Sequence, residues 1–256
     1  MGPVALGFLA SLAAGLVTGI GAIPVLFGTT VSLRLNDALL GFAAGVMLAA
    51  SFFSLIMPAL DAARLLYGSA MAVAAVGVAG VVLGAVSITA INELVPHEHF
   101  VQGRQGPAPG SLDRIWLFVL AITIHNLPEG LAVGVGFAGG NIDDGITLAT
   151  GIGLQNAPEG LAVAMALLSC GYSRAYSFVV ATLTGLVEPI TGFLGAYAVS
   201  LSQALLPWGM TFAAGAMIYV ISHEIIPETH QHGYQNEATA GLTAGLAIMM
   251  FLDVAF

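Results

Sequence analysis

The sequence predicts an all-α, polytopic membrane protein with eight transmembrane helices. Of its 256 residues, 58% are apolar and only 7% are Asp, Glu, Lys or Arg. Apolar stretches of about 20 residues, the length that spans a bilayer core, recur along the chain. A soluble domain carries about 25% charged residues, so this chain cannot cover a water-facing surface. Five basic residues against 14 acidic ones also argue against a nucleic-acid partner.

Eight stretches have the length and composition of membrane spans. Backbone groups in lipid must pair within one segment, which favours helices. Strands of a membrane barrel would instead alternate apolar and polar residues, and that pattern is missing. We expect a single transmembrane domain over residues 1–256 with spans at 4–27, 37–58, 69–92, 114–137, 144–168, 175–200, 208–227 and 238–256.

The few basic residues predict the orientation of these spans. Arg34, Arg104, Arg114 and Arg174 fall on one side, Arg64 falls on the other, and Lys is absent. Short loops rich in Arg and Lys stay in the cytoplasm. We therefore expect both termini in the periplasm and a cytoplasmic loop at residues 93–113.

The most informative feature is a motif that occurs twice. The string HNLPEGLAV begins at His125, and QNAPEGLAV begins at Gln155. At about 1.5 Å per residue, each start lies roughly 16 Å into its span, near the centre of a core about 30 Å thick. Residues four apart share a helix face, so Glu129 lies below His125 and Glu159 below Gln155. Two copies at one depth can form a shared site.

A third acid, Glu188, lies near the middle of the sixth span. An ionised side chain at this depth costs at least about 2.5 kcal/mol, and no basic side chain lies in mid-span. Glu129, Glu159 and Glu188 must therefore hold protons or bind a cation. A single buried Glu is often a protonated hydrogen-bond partner between helices. Three at one depth, beside an imidazole and three amides, favour the cation.

The types of donor predict the class of cation. Imidazole favours zinc and related transition metals over Mg²⁺ or Ca²⁺, and Zn²⁺ accepts mixed nitrogen and oxygen ligands. Carboxylates can bridge, so two ions sharing Glu129 and Glu159 form a reasonable arrangement. Amide ligands bind more weakly than thiolates, which suits an ion in transit.

The paired strings resemble the motifs of the Zrt- and Irt-like (ZIP) metal transporters. The resemblance extends over all eight spans and is closest to the bacterial zinc-transporting members. It implies transport of Zn²⁺, and also Cd²⁺, into the cytoplasm by a bacterial inner-membrane protein that is no enzyme and has no catalytic cofactor. It implies a first ion bound by His125, Glu129, Gln155 and Glu159, with Met47 nearby. It implies a second ion bound by Asn126, Glu129, Asn156, Glu159 and Glu188.

The resemblance also implies a fold with internal symmetry. Spans 1–3 and 6–8 would be inverted repeats around spans 4 and 5, an arrangement that supports alternating access. Some members carry an acid at the position of Asn156, so a weaker second site is expected here. A homodimer is among the assemblies that the resemblance allows.

Polar residues near the span ends are candidates for the transport pathway. On the periplasmic side, Asp61 could attract cations, with Ser54 and Met47 one and two heptads inward; the alternative is a solvated helix end. On the cytoplasmic side, residues around two breaks could accept released metal, or could be simple solvated side chains. These residues are His97, His99, His223, Glu224, Glu228, His230 and His232.

Two other functions are alternatives for a chain with buried acids and histidines. An intramembrane metalloprotease needs the motif H-E-x-x-H, but Asn follows His125, and Pro227 stands four residues after His223. A proton-conducting or structural membrane protein with protonated glutamates would explain the buried acids. It would not explain the His, Gln and Asn residues beside them.

Overall fold

The computed structural model describes residues 1–29, 31–99, 103–105 and 113–256. Eight long helices make up nearly all of this part, and each predicted span overlaps one of them. They are α1 Pro3–Leu26, α2 Leu33–Tyr67, α3 Ala70–Leu94, α4 Arg114–Ala138, α5 Ile142–Ser169, α6 Arg174–Leu201, α7 Gln203–Thr229 and α8 Gln235–Ala255. The all-helical polytopic fold is thus confirmed.

One small hairpin departs from the helical pattern. Strands β1 (His97–His99) and β2 (Gly103–Gln105) pair antiparallel between α3 and α4, within the loop expected at 93–113. Residues 100–102 and 106–112 of that loop lie outside the described residues. Successive helices alternate in direction, so the bundle has a hairpin end, which carries β1 and β2, and a terminal end, which carries both chain termini.

Seven of the helices in the described part are long and apolar enough to cross a membrane. The exception is α5, which carries the polar motif residues Gln155, Asn156 and Glu159 and two acids in its first turn. Helix α5 nevertheless packs against α1, α2, α4 and α6. The polar residues that lower its hydropathy are the ones it buries in the bundle.

Glycines bring several helix pairs together backbone to backbone, and four of these pairs are α2 with α8, α3 with α7, α1 with α5, and α4 with α6. A Cβ on Gly45 of α2 would lie 1.9 Å from the carbonyl oxygen of Leu242 in α8. A Cβ on Gly160 of α5 would lie 1.9 Å from the carbonyl oxygen of Thr18 in α1. Such small-residue contacts replace the hydrophobic effect as the source of helix association in lipid. Equivalent glycines in the other two pairs are Gly84 and Gly134.

The sixth span is a broken helix, whereas the sequence predicted a continuous one. Its first segment ends at Gly185, and the second begins at Glu188 with Pro189 in its first turn. Pro189 has no N–H to donate to the preceding turn, which favours a break at this point. Proline alone does not decide the matter, because α4 and α5 continue through Pro128 and Pro158.

Helix α2 changes its hydrogen-bonding pattern before its proline. Residues Ala50–Ile56 form a π-helical segment, in which each turn takes in an extra residue. The heptad alignment expected from the sequence is lost across this segment. Met47 and Ser54 are buried, but Asp61 is exposed and pairs with Arg64. The structure therefore does not place Asp61 on the buried face of Ser54 and Met47.

Candidate metal centre

Three buried carboxylates meet where α4, α5 and α6 pack together. Glu129 and Glu188 are 0% exposed and Glu159 is 3% exposed. Glu129 interacts electrostatically with Glu159 and with Glu188, and Glu188 interacts with Glu159. The break in α6 puts Glu188 at the start of a helical segment, where the positive end of the helix dipole favours an anion.

No basic side chain of the described part accompanies these acids. Arg34 at the hairpin end pairs with Glu237 at 2.8 Å, and Arg64 pairs with Asp61 at the terminal end. Arg114 and Arg174 begin their helices at the hairpin end. The negative charge of the three buried carboxylates must therefore be neutralised by protons or by a bound cation.

Two asparagines of the motif are anchored to neighbouring helices by their NH₂ groups. Asn156 Nδ2 donates to Ala14 O at 2.9 Å and to Glu188 Oε1 at 2.7 Å. Asn126 Nδ2 donates to Thr184 O at 2.9 Å, just before the break in α6. Because these nitrogens are engaged, the side-chain carbonyl oxygens remain to act as acceptors or metal ligands.

Several buried oxygens of this group have no hydrogen-bond partner among the described residues. They are Oε1 of Glu159, Oε2 of Glu188, and Oδ1 of Asn126 and Asn156, together with the carboxylate oxygens of Glu129 apart from their interaction with the Gln155 side chain. Leaving a buried polar atom unsatisfied costs about 1–3 kcal/mol. A divalent cation bound by carboxylate and amide oxygens would satisfy several of these atoms at once.

His125 contacts the carboxylate of Glu224, which the sequence analysis assigned to the cytoplasmic pathway and not to the midplane site. Its Nε2 meets Glu224, in the π-helical segment Ile221–Ile225 of α7. Glu224 also accepts a hydrogen bond from Asn92 Nδ2 of α3 at 3.0 Å. His125 interacts electrostatically with Glu159 as well. It therefore lies between the buried motif and α7.

The side chains expected to bind the first ion are not arranged around a common point in the structure. Within the described ranges, no group of three or more His, Cys, Asp or Glu side chains is arranged to hold a metal ion. His125 and Glu159 nonetheless line one cavity of about 330 Å³, which also reaches Glu224, Glu228 and His232. This cavity joins the motif to the hairpin end of the bundle.

Two of the predicted pathway histidines, His97 and His223, do not line that cavity. His97 is 1% exposed, and its Nδ1 lies 2.8 Å from Val95 O. His223 Nε2 lies 3.2 Å from Gln105 Nε2, so the hairpin contacts α7 here. The side chain of His99 is outside the described part of the chain.

The two histidines after α7 have different surroundings, although the sequence grouped them. His230 Nδ1 lies 2.9 Å from Ile226 O, and its Nε2 lies 3.3 Å from Thr239 Oγ1, so both ring nitrogens contact the ends of α7 and α8. His232 Nδ1 lies 3.1 Å from Asp37 Oδ1, and its ring lines the cavity.

At the terminal end, Ser54 contacts Asp253, a residue for which the sequence analysis predicted no function. Ser54 Oγ donates to Asp253 Oδ1 of α8 at 2.6 Å. Both residues line a pocket of about 270 Å³ together with Asp144 and Thr147. Asp253 is an acid within an apolar span that contains no basic residue, and this was the sequence feature that could have identified it as a candidate. Met47 is 0% exposed within the core and stays a predicted ligand.

Comparison with known proteins agrees with this architecture. A family model described as ZIP Zinc transporter matches residues 96–253. The chain is 45% identical to zinc transporter GufA of Myxococcus xanthus, covering 97% of this chain and 98% of that protein. It is 48% identical to zinc transporter ZIPB of Bordetella bronchiseptica, covering 100% and 82%. It is 36% identical to zinc transporter ZIP11 of Homo sapiens, covering 93% of each.

These matches confirm what the duplicated motif indicated. The family model covers more than half of the chain, and the relatives are matched over most of their own length. The chain belongs to the ZIP family of zinc transporters, which are transporters and not enzymes.

Proposed function

We propose that this protein carries Zn²⁺, and also Cd²⁺, across a bacterial inner membrane into the cytoplasm. The proposal depends mainly on one observation: buried carboxylate and amide oxygens on α4, α5 and α6 lack hydrogen-bond partners. Such a group attracts a cation and repels an anion. The relatives named above are zinc transporters, and imidazole among the ligands favours a transition metal.

The transported ions would occupy two adjacent positions at the bilayer midplane, sharing Glu129 and Glu159. The first position would use His125, Glu129, Gln155 and Glu159, with Met47 nearby. The second would use Asn126, Glu129, Asn156, Glu159 and Glu188. The anchored NH₂ groups of the two asparagines support this assignment, because they leave the carbonyl oxygens for the metal.

His125 is proposed to be the ligand that moves. Its contact with Glu224 and its place beside Glu159 suit an imidazole that alternates between the midplane ions and α7. Metal would leave the midplane through the cavity at the hairpin end. Arg34, Arg114 and Arg174 lie at that end, so it is assigned to the cytoplasm, and both termini are assigned to the periplasm.

The pattern of helix contacts supports an alternating-access mechanism. Helices α2 and α7 each contain a π-helical segment before a proline. Helix α2 packs closely on α8 as α7 packs on α3, and α5 packs on α1 as α4 packs on α6. An inverted repeat that exchanges α1–α3 with α6–α8, and α4 with α5, would produce these pairings. Repeats of this kind let one bundle move against the other around a midplane site.

The experiment that tests this function uses purified protein in liposomes that contain a zinc indicator and a pH indicator. We expect saturable Zn²⁺ uptake that Cd²⁺ inhibits and that excess Mg²⁺ does not. A proton conductor would instead change the internal pH without zinc. Proton flux with no zinc uptake would overturn the proposal.

Substituting Asn156 with Asp should make stability depend more strongly on zinc. The change removes the donor to Ala14 and Glu188 and adds a fourth acid, so we expect the zinc-free protein to melt about 5 °C lower. Zinc binding should then raise the melting temperature more than in the wild type, because the second ion gains a carboxylate ligand. Asn141→Asp is the matched control, since either residue can cap the start of α5. An equal zinc-induced shift in Asn156→Asp and wild type would contradict this prediction.

A further inference from the structure

The cavity that reaches the motif has one apolar wall, formed by α4 and α5. On α4, Ile122 and Phe118 line it and precede His125 by three and seven residues. On α5, Ala162 lines it and follows Glu159 by three residues. Residues at these spacings share a helix face. Each motif helix therefore presents polar side chains at the inner end of the cavity and apolar side chains toward the hairpin end.

The facing wall, formed by α7, is acidic. Glu224 and Glu228 both line the cavity. Glu224 contacts His125 and Asn92, whereas within the described ranges no hydrogen bond or ion pair engages the carboxylate of Glu228. No arginine of the described part lines the cavity, and the chain contains no lysine. This wall therefore attracts cations and has no strongly basic side chain to neutralise it.

The cavity is larger and more apolar than the path of an ion requires. Its volume is about 330 Å³, which falls within the range of about 300–1,000 Å³ that is typical of small-molecule sites. Covering an apolar wall is favourable in proportion to the apolar area that is removed from water. A hydrated metal ion cannot cover such a wall, but a molecule with an apolar body can.

An alternative role for the apolar wall is to close the cavity by packing against α7 in another conformation. Closure would press Ile122 and Phe118 against the wall that carries Glu224 and Glu228. Burying an acid against apolar side chains without a partner is costly. The acids of α7 therefore fit a ligand that lies between the two walls better than they fit direct closure.

The two walls together define the chemistry of that ligand. The acidic wall selects a positive charge and repels carboxylates and phosphates. A protonated amine suits it, because hydrogen bonds between ionised groups are roughly twice as strong as neutral ones. The apolar wall selects a hydrocarbon or aromatic body, and the volume of the cavity restricts that body to a small molecule.

We propose that this cavity binds a small amphipathic organic cation, with its protonated amine at Glu228 and its apolar body against Phe118, Ile122 and Met165. A bound amine occupies the route by which metal leaves the midplane, so it inhibits transport from the release side. The inhibition rests on the proposed function, but binding can be measured on zinc-free protein without transport.

The binding test uses hexylamine, which is protonated at neutral pH, and zinc-free protein in detergent. Titration calorimetry, corrected for micelles without protein, should detect one site. The affinity should rise about fourfold with each methylene from butylamine to hexylamine. Hexanol and hexanoate have the same chain without the positive charge, and they should bind at least about tenfold more weakly. Binding no greater than that of empty micelles would overturn the proposal.

One variant on each wall tests the assignment. Glu228→Gln keeps the size of the side chain and removes its charge, and it should lower the affinity for hexylamine about tenfold. Met165→Gln makes the apolar wall polar at nearly constant length and should lower the affinity about fivefold. The matched controls are Glu237→Gln, beside Arg34 at the surface, and Met250→Gln, which is 40% exposed on α8. Both should bind hexylamine as the wild type does.

A loss of affinity could also arise from a folding defect, and Met165→Leu separates the two causes. This variant changes the shape of the side chain but keeps the wall apolar, so it should retain the affinity for hexylamine. Melting temperatures of all variants show whether each of them folds. Unchanged affinity in either Glu228→Gln or Met165→Gln would overturn the proposed site.

Zinc uptake by liposomes provides the second readout. Hexylamine on both sides of the membrane should lower the maximal rate without changing KM for external zinc, because it binds on the release side. This inhibition should be lost in Met165→Gln and retained in Met165→Leu. Zinc uptake without a hexylamine site would reject the site and leave the proposed function standing. A hexylamine site in a wild type that takes up no zinc would reject the function and leave the site standing.

Discussion

Glu159→Gln is expected to lower zinc uptake about 100-fold or more, since even an outer-shell change can cost 10–100-fold in metal sites. Glu159 is proposed to bridge both ions, and it also lines the cavity through which they leave. Gln keeps the size of the side chain and removes its charge. The variant therefore tests the charge itself, with little change in packing.

The same substitution should not weaken the fold. Glu159 and Glu129 repel one another when both are charged, so removing one charge lowers the cost of burying the group. We expect the zinc-free variant to melt at or above the wild-type temperature, and we expect zinc to stabilise it less. Loss of uptake together with a normal melting temperature would separate a failure of binding from a failure of folding.

The control for this prediction is Glu237→Gln. It makes the same chemical change in a residue that pairs with Arg34 at the surface, where an ion pair contributes about 0–1 kcal/mol. Uptake by this variant should match that of the wild type. Full zinc uptake by both Glu159→Gln and Glu129→Gln would show that the midplane acids are not the transport site.

Gly160→Ala should disrupt both stability and transport. A Cβ at this position would lie 1.9 Å from the carbonyl oxygen of Thr18, so the backbones of α1 and α5 would have to separate. Overpacking of this kind costs about 1–3 kcal/mol, more than the roughly 1 kcal/mol that Ala gains over Gly in a helix. Separation would also break the hydrogen bond from Asn156 to Ala14, which anchors a proposed ligand.

Gly153→Ala is the matched control on the same helix. A Cβ there would lie 3.5 Å from the nearest atom, on Val17 of α1, which is an ordinary contact. We expect this variant to be as stable as the wild type and fully active. Thermal unfolding in detergent and zinc uptake in liposomes measure the two effects. Equal stability of the two variants would mean that the close contact of α1 and α5 is not needed.

Features that depend on spacing within one helix could be predicted from the sequence. Composition and the length of apolar stretches indicated eight membrane helices, and each predicted span overlaps an observed helix. The four-residue spacing from Gln155 to Glu159 placed both residues on one face, and the repeat placed two such faces at one depth. Helical geometry decides these relations, because it relates nearby residues in the same way wherever the helix packs.

Features that depend on irregular backbone could not be predicted. The break before Glu188 and the π-helical segments Ala50–Ile56 and Ile221–Ile225 all lie next to prolines. Pro128 and Pro158, however, lie within continuous helices. Whether a proline breaks a helix depends on whether neighbouring groups satisfy the freed carbonyl, and those neighbours belong to other helices.

The sequence by itself shows that the motif is duplicated and that basic residues are few. Together these two features identified the buried acids and the family. Only the tertiary structure decided which residues those acids and histidines meet. His125 contacts Glu224, 99 positions away, and His232 contacts Asp37, 195 positions away. Such contacts depend on how closely the helices approach one another, and that approach is decided by glycine contacts between helices far apart in the chain.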